Sequence, residues 1–173
     1  MKRPLLALAI LAAASAARAD TEQASQVTFG VAGMYVPQQH ALVNDVAAVG
    51  HYVDFSHRFD AFLVGARAGI FYGWAATGDT ASQWLVEADL FLGAHAAIGK
   101  RFALRLEAGT GALIGGGDGY ATAGVNHTFV RATAQWNAVK TLLLEAYGGP
   151  SFLVGASVLA GFPEFGVGAG FVF

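Results

Sequence analysis

Beyond its first twenty residues the chain alternates apolar and polar positions with period two almost everywhere, and helical periodicity is hard to find. Eight alternating segments stand out, at about 26–36, 46–58, 60–74, 84–98, 101–114, 121–136, 140–153 and 162–173. Each is longer than the usual soluble strand of about 5–6 residues. Their length suits a tilted strand crossing a bilayer, which needs roughly 9–11 residues. The two faces differ sharply. In the third segment Phe62, Val64, Ala66, Ala68, Ile70, Tyr72 and Trp74 oppose Gly65, Arg67, Gly69 and Gly73. In the fourth, Val86, Ala88, Leu90, Leu92, Ala94, Ala96 and Ile98 oppose Glu87, Asp89, Gly93 and His95. The fifth sets Phe102, Leu104, Leu106, Ala108 and Ala112, with Thr110 among them, against Ala103, Arg105, Glu107, Gly109 and Gly111. The sixth sets Val130, Ala132, Ala134 and Trp136 against Phe129, Arg131, Thr133 and Gln135.

A soluble sandwich or lipocalin-like barrel turns its apolar face inward and its polar face to water. Here the polar face has few Lys, many Gly, and acids and arginines at matched heights, which is a poor solvent surface. A transmembrane barrel inverts the arrangement, and its narrow eight-stranded lumen leaves little room for side chains, so inward Gly fits. The pattern therefore predicts an all-β, eight-stranded, antiparallel up-and-down transmembrane barrel. Connectors at 57–60, 99–101 and 137–140 are short and are expected in the periplasm. Those at 37–44, 75–83, 115–119 and 155–161 are expected to be longer and to face outward. Tyr35, Tyr72, Trp74 and Trp84 fall at outer strand ends, and Trp136 and Phe173 at inner ones, as interface belts require.

The first nineteen residues form a separate unit. Lys2 and Arg3 make a positive n-region, residues 5–14 an apolar run too short to span, and Ala17-Arg18-Ala19 a small-x-small cleavage pattern. Residues 1–19 are thus expected to be a signal peptide and 20–173 one barrel domain. Removal of Lys2, Arg3 and Arg18 takes ten basic residues to seven against twelve acids, a formal charge of −5.

Composition agrees once the faces are known. The chain of 173 residues is 55% hydrophobic and 13% charged and has no cysteine, with mean hydropathy +0.49. A soluble domain carries about 25% charged residues. These values exclude a disordered chain, a nucleic-acid binder and a disulfide scaffold. No run of about 18 apolar residues follows the signal segment, which excludes membrane helices.

The chain ends on Glu164-Phe165-Gly166-Val167-Gly168-Ala169-Gly170-Phe171-Val172-Phe173. Phe165, Val167, Ala169, Phe171 and Phe173 share the lipid-side parity. Gly168, Phe171 and Phe173 resemble the C-terminal assembly signal of outer-membrane β-barrels; Gly166 stands where a polar residue is commoner. The mature chain resembles the small eight-stranded class that includes the OmpA transmembrane domain and OmpX. That resemblance implies a location in the bacterial outer membrane. The partners it implies are outer-membrane lipid and lipopolysaccharide, with the barrel-assembly machinery inserting a monomer.

Ten charges point inward: Asp54, Arg58, Arg67, Glu87, Asp89, Arg105, Glu107, Arg131, Glu145 and Glu164. An unpaired buried charge is costly, so they are expected to pair into a plug that fills the lumen; a narrow solute channel is the alternative. His40, His51, His57, His95 and His127 show no metal-ligand spacing, so neither a metal nor a cofactor is expected. Two lipid A-modifying enzymes share the architecture. The deacylase type resembles this chain only at His127-Thr128-Phe129, where its Ser nucleophile is missing, and Ser151 and Ser157 have no neighbouring His in the sequence. The palmitoyltransferase type finds His40 and Asp79 but no full trio. A non-enzymatic role is therefore expected. Gly115-Gly116-Gly117-Asp118-Gly119 is expected as a turn, not a phosphate loop, since no Lys-Ser/Thr follows it. The sequon Asn126-His127-Thr128 falls within an expected strand.

Overall fold

The computed structural model describes residues 24–36, 46–75, 82–117, 120–155 and 158–173. The segment 1–19 and the residues His40, Asp79 and Ser157 lie outside them. Eight strands follow in order: β1 (Ala24–Val36), β2 (Val46–Phe59), β3 (Phe62–Ala75), β4 (Ser82–Ile98), β5 (Phe102–Gly117), β6 (Tyr120–Asn137), β7 (Leu142–Gly155) and β8 (Val158–Val172). Every strand pairs antiparallel with its sequence neighbours, and β8 returns to β1 to close the barrel. Closure matters because a strand edge in hydrocarbon would leave backbone groups without hydrogen bonds. The seam is completed by two backbone bonds between Ser25 and Phe173, each 2.9 Å. The last residue thus belongs to the ladder.

Alternation sorts the faces as the pattern predicts. Leu90, Leu92, Phe102, Leu104, Val130, Phe165, Val167, Phe171 and Phe173 are exposed on the outside, as are the belt residues Tyr35, Tyr72, Trp74, Trp84 and Trp136. Asp54, Arg67, Glu87, Asp89, Arg105, Glu107, Arg131, Glu145 and Glu164 are buried inside. An apolar outside around a charged inside is stable only when lipid replaces water around the barrel.

The short turns lie together at one end. Asp60 adopts φ 52° and Gly99 φ 76°, in the left-handed region that lets two strands reverse tightly. At the other end two connectors are shorter than expected. β5 runs through Gly117 and β7 through Gly155, leaving only 118–119 and 156–157 between strands. The expected turn 115–119 is therefore mostly strand, with a register shift between Gly115 and Gly117. Glycine lacks strand propensity, but the ladder on both sides carries the backbone through.

Inward glycines make room for rings. A Cβ on Gly166 would lie 2.7 Å from Tyr147 Cζ, and one on Gly168 would lie 2.8 Å from Thr28 Cγ2 and 2.5 Å from the Tyr52 hydroxyl. Gly168, expected only as part of a terminal signal, thus also seats Tyr52.

The face assignment makes a direct prediction. Leu90→Arg, on the outer face at the middle of β4, should cost roughly 2–4 kcal/mol near the bilayer midplane, measured by reversible denaturant unfolding in liposomes. If that substitution proved harmless, the outside and inside faces would be exchanged.

Candidate functional site

The lumen holds the chain's chemistry, and it falls into three zones along the barrel axis. At the loop end, Met34, Val36, Val46, Phe71, Leu85, Leu113, Leu153 and Phe162 form an apolar core cluster. These residues lie at the loop-side ends of their strands, so they cap the lumen there.

Below the cap is a first charged cluster. Arg67 reaches Glu87 through Nε at 3.2 Å and Glu164 through Nη2 at 2.9 Å. It also donates to the Tyr147 hydroxyl. Its guanidinium lies 4.3 Å from the Tyr52 ring centre and 4.5 Å from that of Tyr147. Two rings therefore clamp one cation, a contact strengthened when water is excluded. His127 is fully buried. Its Nδ1 donates to Asp89 at 3.0 Å and 3.2 Å, and its Nε2 lies 3.9 Å from Glu164 Oε2. The ring stacks on Phe162 with centres 6.0 Å apart. Ser151 donates to Glu164 at 2.9 Å and Tyr147 to the same carboxylate at 3.0 Å.

The second cluster lies nearer the short turns and centres on Glu107. One oxygen of Glu107 takes Arg105 Nη2 and the other takes Arg131 Nε. Thr133 adds a hydroxyl at 3.4 Å. Arg131 also donates to Asp54 at 2.5 Å. Arg105 Nη1 lies 3.7 Å from Glu145, whose carboxylate accepts from Tyr52 at 3.1 Å and from Gln135 at 3.2 Å. The two clusters join through Tyr52 and Tyr147, which meet edge to face at 5.5 Å, and through Arg131, 5.1 Å from the Tyr147 ring centre.

Nine of the ten expected inward charges are buried in these clusters. Arg58 is the exception: it is half-buried and lines a cavity of about 660 Å³ at the short-turn mouth. The buried set holds six carboxylates and three arginines, so acids exceed arginines by three. Hydroxyl and amide donors from Tyr52, Tyr147, Ser151, Thr133 and Gln135 stabilise the surplus acceptors. A buried carboxylate needs donors, and neutral ones serve where cations run out.

His127 corrects the expectation of isolated histidines. With Glu87 and Asp89 it places three possible ligand atoms within 4.8 Å of one another. Arg67, 3.2 Å from Glu87, already occupies this cluster as its cation. The signal was present in the sequence, because extending the inner parity of Phe129 and Arg131 by two residues reaches His127. Ser151 and His127 approach the same oxygen of Glu164, which accepts the Ser151 hydroxyl at 2.9 Å and lies 3.9 Å from His127 Nε2. A serine held by a carboxylate without an imidazole base lacks the activating partner of a nucleophile. The other histidines are dispersed: His51 faces out, His57 bonds Ser25 at 2.8 Å, and His95 lines the mouth cavity.

No protein-family model matches the chain, and no curated protein matches it in sequence. Solved structures match its shape. Neisserial surface protein A is 11% identical, with a TM-score of 0.64 covering 87% of this chain and 98% of that one. Ail, the attachment invasion locus protein of Yersinia pestis, is 15% identical, with a TM-score of 0.59 covering 88% and 99%. The N-terminal β-barrel domain of Pseudomonas aeruginosa OprF is 14% identical, with a TM-score of 0.53 covering 88% and 100%.

The network makes its own prediction. Glu107→Gln removes the shared anion from two buried guanidiniums, which keep Asp54 and Glu145 as partners, and should destabilise the barrel by roughly 1.5–3 kcal/mol. Equilibrium urea unfolding in detergent micelles measures it, and a cost below about 1 kcal/mol, the worth of an exposed pair, would show the network to be wet. Nearly the whole of this chain superposes on nearly the whole of each of those proteins, so its fold is that of the small eight-stranded outer-membrane β-barrels.

Proposed function

We propose that the chain is exported on residues 1–19 and inserted by the barrel-assembly machinery as a monomer in the bacterial outer membrane. There, among phospholipid and lipopolysaccharide, it has a structural or surface role and performs no catalysis. The observation that carries this reading is the filled lumen. An apolar cap and two joined ion clusters occupy the space through which a solute would pass. Eight strands enclose an interior just wide enough for their own side chains, so conduction would require the pairs on Arg67, Arg105 and Arg131 to break together. In the described lumen Ser151 is held by Glu164, and the described serine–imidazole bond, Ser25 to His57, lies on the outer parity of β1 and β2, which favours a non-catalytic role.

Planar-bilayer recording tests the plug. Purified protein should give no steady current, and a sustained open-channel conductance would establish the narrow channel instead. Lipid A from cells expressing the barrel should keep its mass spectrum unchanged; a lost or added acyl chain would make the protein a lipid-modifying enzyme.

A further inference from the structure

The cavity of about 660 Å³ at the short-turn mouth is lined by Arg58, Lys100, Arg101, Arg105 and Lys140. Those are five of the seven basic residues that remain after residue 19. No Asp or Glu is among the described residues lining it. The lumen above is the opposite, with acids in excess of arginines. Arg67, Arg105 and Arg131 pair with the lumen acids, while Arg58, Lys100, Arg101 and Lys140 stand with Arg105 around an open space. Arg105 forms the floor. It is buried, its Nη2 is held by Glu107 on the lumen side with Asp54 at 3.8 Å and Glu145 3.7 Å from Nη1, and its Nε has no hydrogen-bond partner. Lys100 and Arg101 stand in the turn between β4 and β5, and Lys140 in the turn between β6 and β7. They converge on the rim from neighbouring hairpins.

A concave site with several cations, one of them a fixed and partly unsatisfied guanidinium, is built for a multiply charged oxyanion. We propose that this vestibule binds a phosphate-bearing anion, with Arg105 as the buried anchor and Lys100, Arg101 and Lys140 as the rim. The volume admits a small solute or one lipid headgroup and excludes a folded protein domain. The apolar cap keeps the site a dead end, so the anion binds without crossing the barrel.

Isothermal titration of the folded barrel in zwitterionic nanodiscs tests it, with inorganic pyrophosphate and short-chain phosphatidylglycerol as separate probes. Saturable binding of at least one probe is expected, weakening as salt rises. The variant Lys100→Gln/Arg101→Gln/Lys140→Gln should weaken it about tenfold or more, since each lost charge removes a contact to the same anion. Heat-modifiable gel mobility confirms that this variant still folds, and Lys140→Glu alone provides the same comparison with one change. Tighter binding of phosphatidylglycerol would identify a headgroup, and tighter binding of pyrophosphate a soluble phosphate compound. No saturable binding of either probe, or equal affinity in the charge-depleted variants, overturns the proposal and leaves the vestibule cations as counter-charges to the lumen acids.

Discussion

Eight strands closed on themselves enclose a space only about as wide as the side chains that line it. Because the outer face of this barrel is apolar, every inward charge must find its partner inside that space. Glu107 shows how severe the constraint is. It lies on β5, directly opposite Arg131 on β6, and two positions along its own strand from Arg105. A single carboxylate therefore holds two guanidiniums that the backbone has already placed beside it. Moving either strand by one residue would turn these charges into lipid and the leucines inward. Pairing inside and parity outside thus fix the same register, and neither could be set without the other.

The tyrosines and glycines follow from that shortage of space. Arg67 has a ring on two sides and carboxylates at its edge, which leaves no room for water around it. The rings fit only because Gly166 and Gly168 on β8 present no side chain to them. Glycine weakens a strand in water through its entropy, but here Gly166 gives room to the Tyr147 ring and Gly168 to the Tyr52 hydroxyl. The surplus of acids has a similar explanation. Tyrosine, serine, threonine and glutamine donors satisfy carboxylates while adding no cation that would itself need a partner. A lumen balanced only by arginines would need three more of them, and the volume is already occupied.

Most of this was legible from period two alone, since a strand's inward set is determined once its parity is known. The strands, the lipid face, the belts and nine buried charges follow from it. His127 is as legible as Arg131 by parity, but metal-ligand spacing is a local signal, whereas its partners Asp89 and Glu164 lie on β4 and β8. The same limit hides that Ser151 and His127 share Glu164. Loop length failed for a different reason. Gly115, Gly116 and Gly117 carry no alternation for parity to detect, yet backbone pairing continues through most of them. Period two reports side chains, and a glycine strand has none.

Charge along the axis then separates two kinds of work within one barrel. The paired clusters hold the strands together and place few demands on solvent. Lys100, Arg101 and Lys140 at the short-turn mouth are arranged differently, since they sit on turns between the strands. Gly99 at φ 76° reverses the chain by itself, so Lys100 and Arg101 are not needed to make the turn. The connectors at the other end carry Asp45, Asp79 and Asp118 and no Lys or Arg. A barrel that used its turn cations only for solubility would have no reason to gather them at one mouth, around a buried arginine. Their convergence makes that end of the molecule, in contrast to its sealed centre, the part arranged to meet something other than itself.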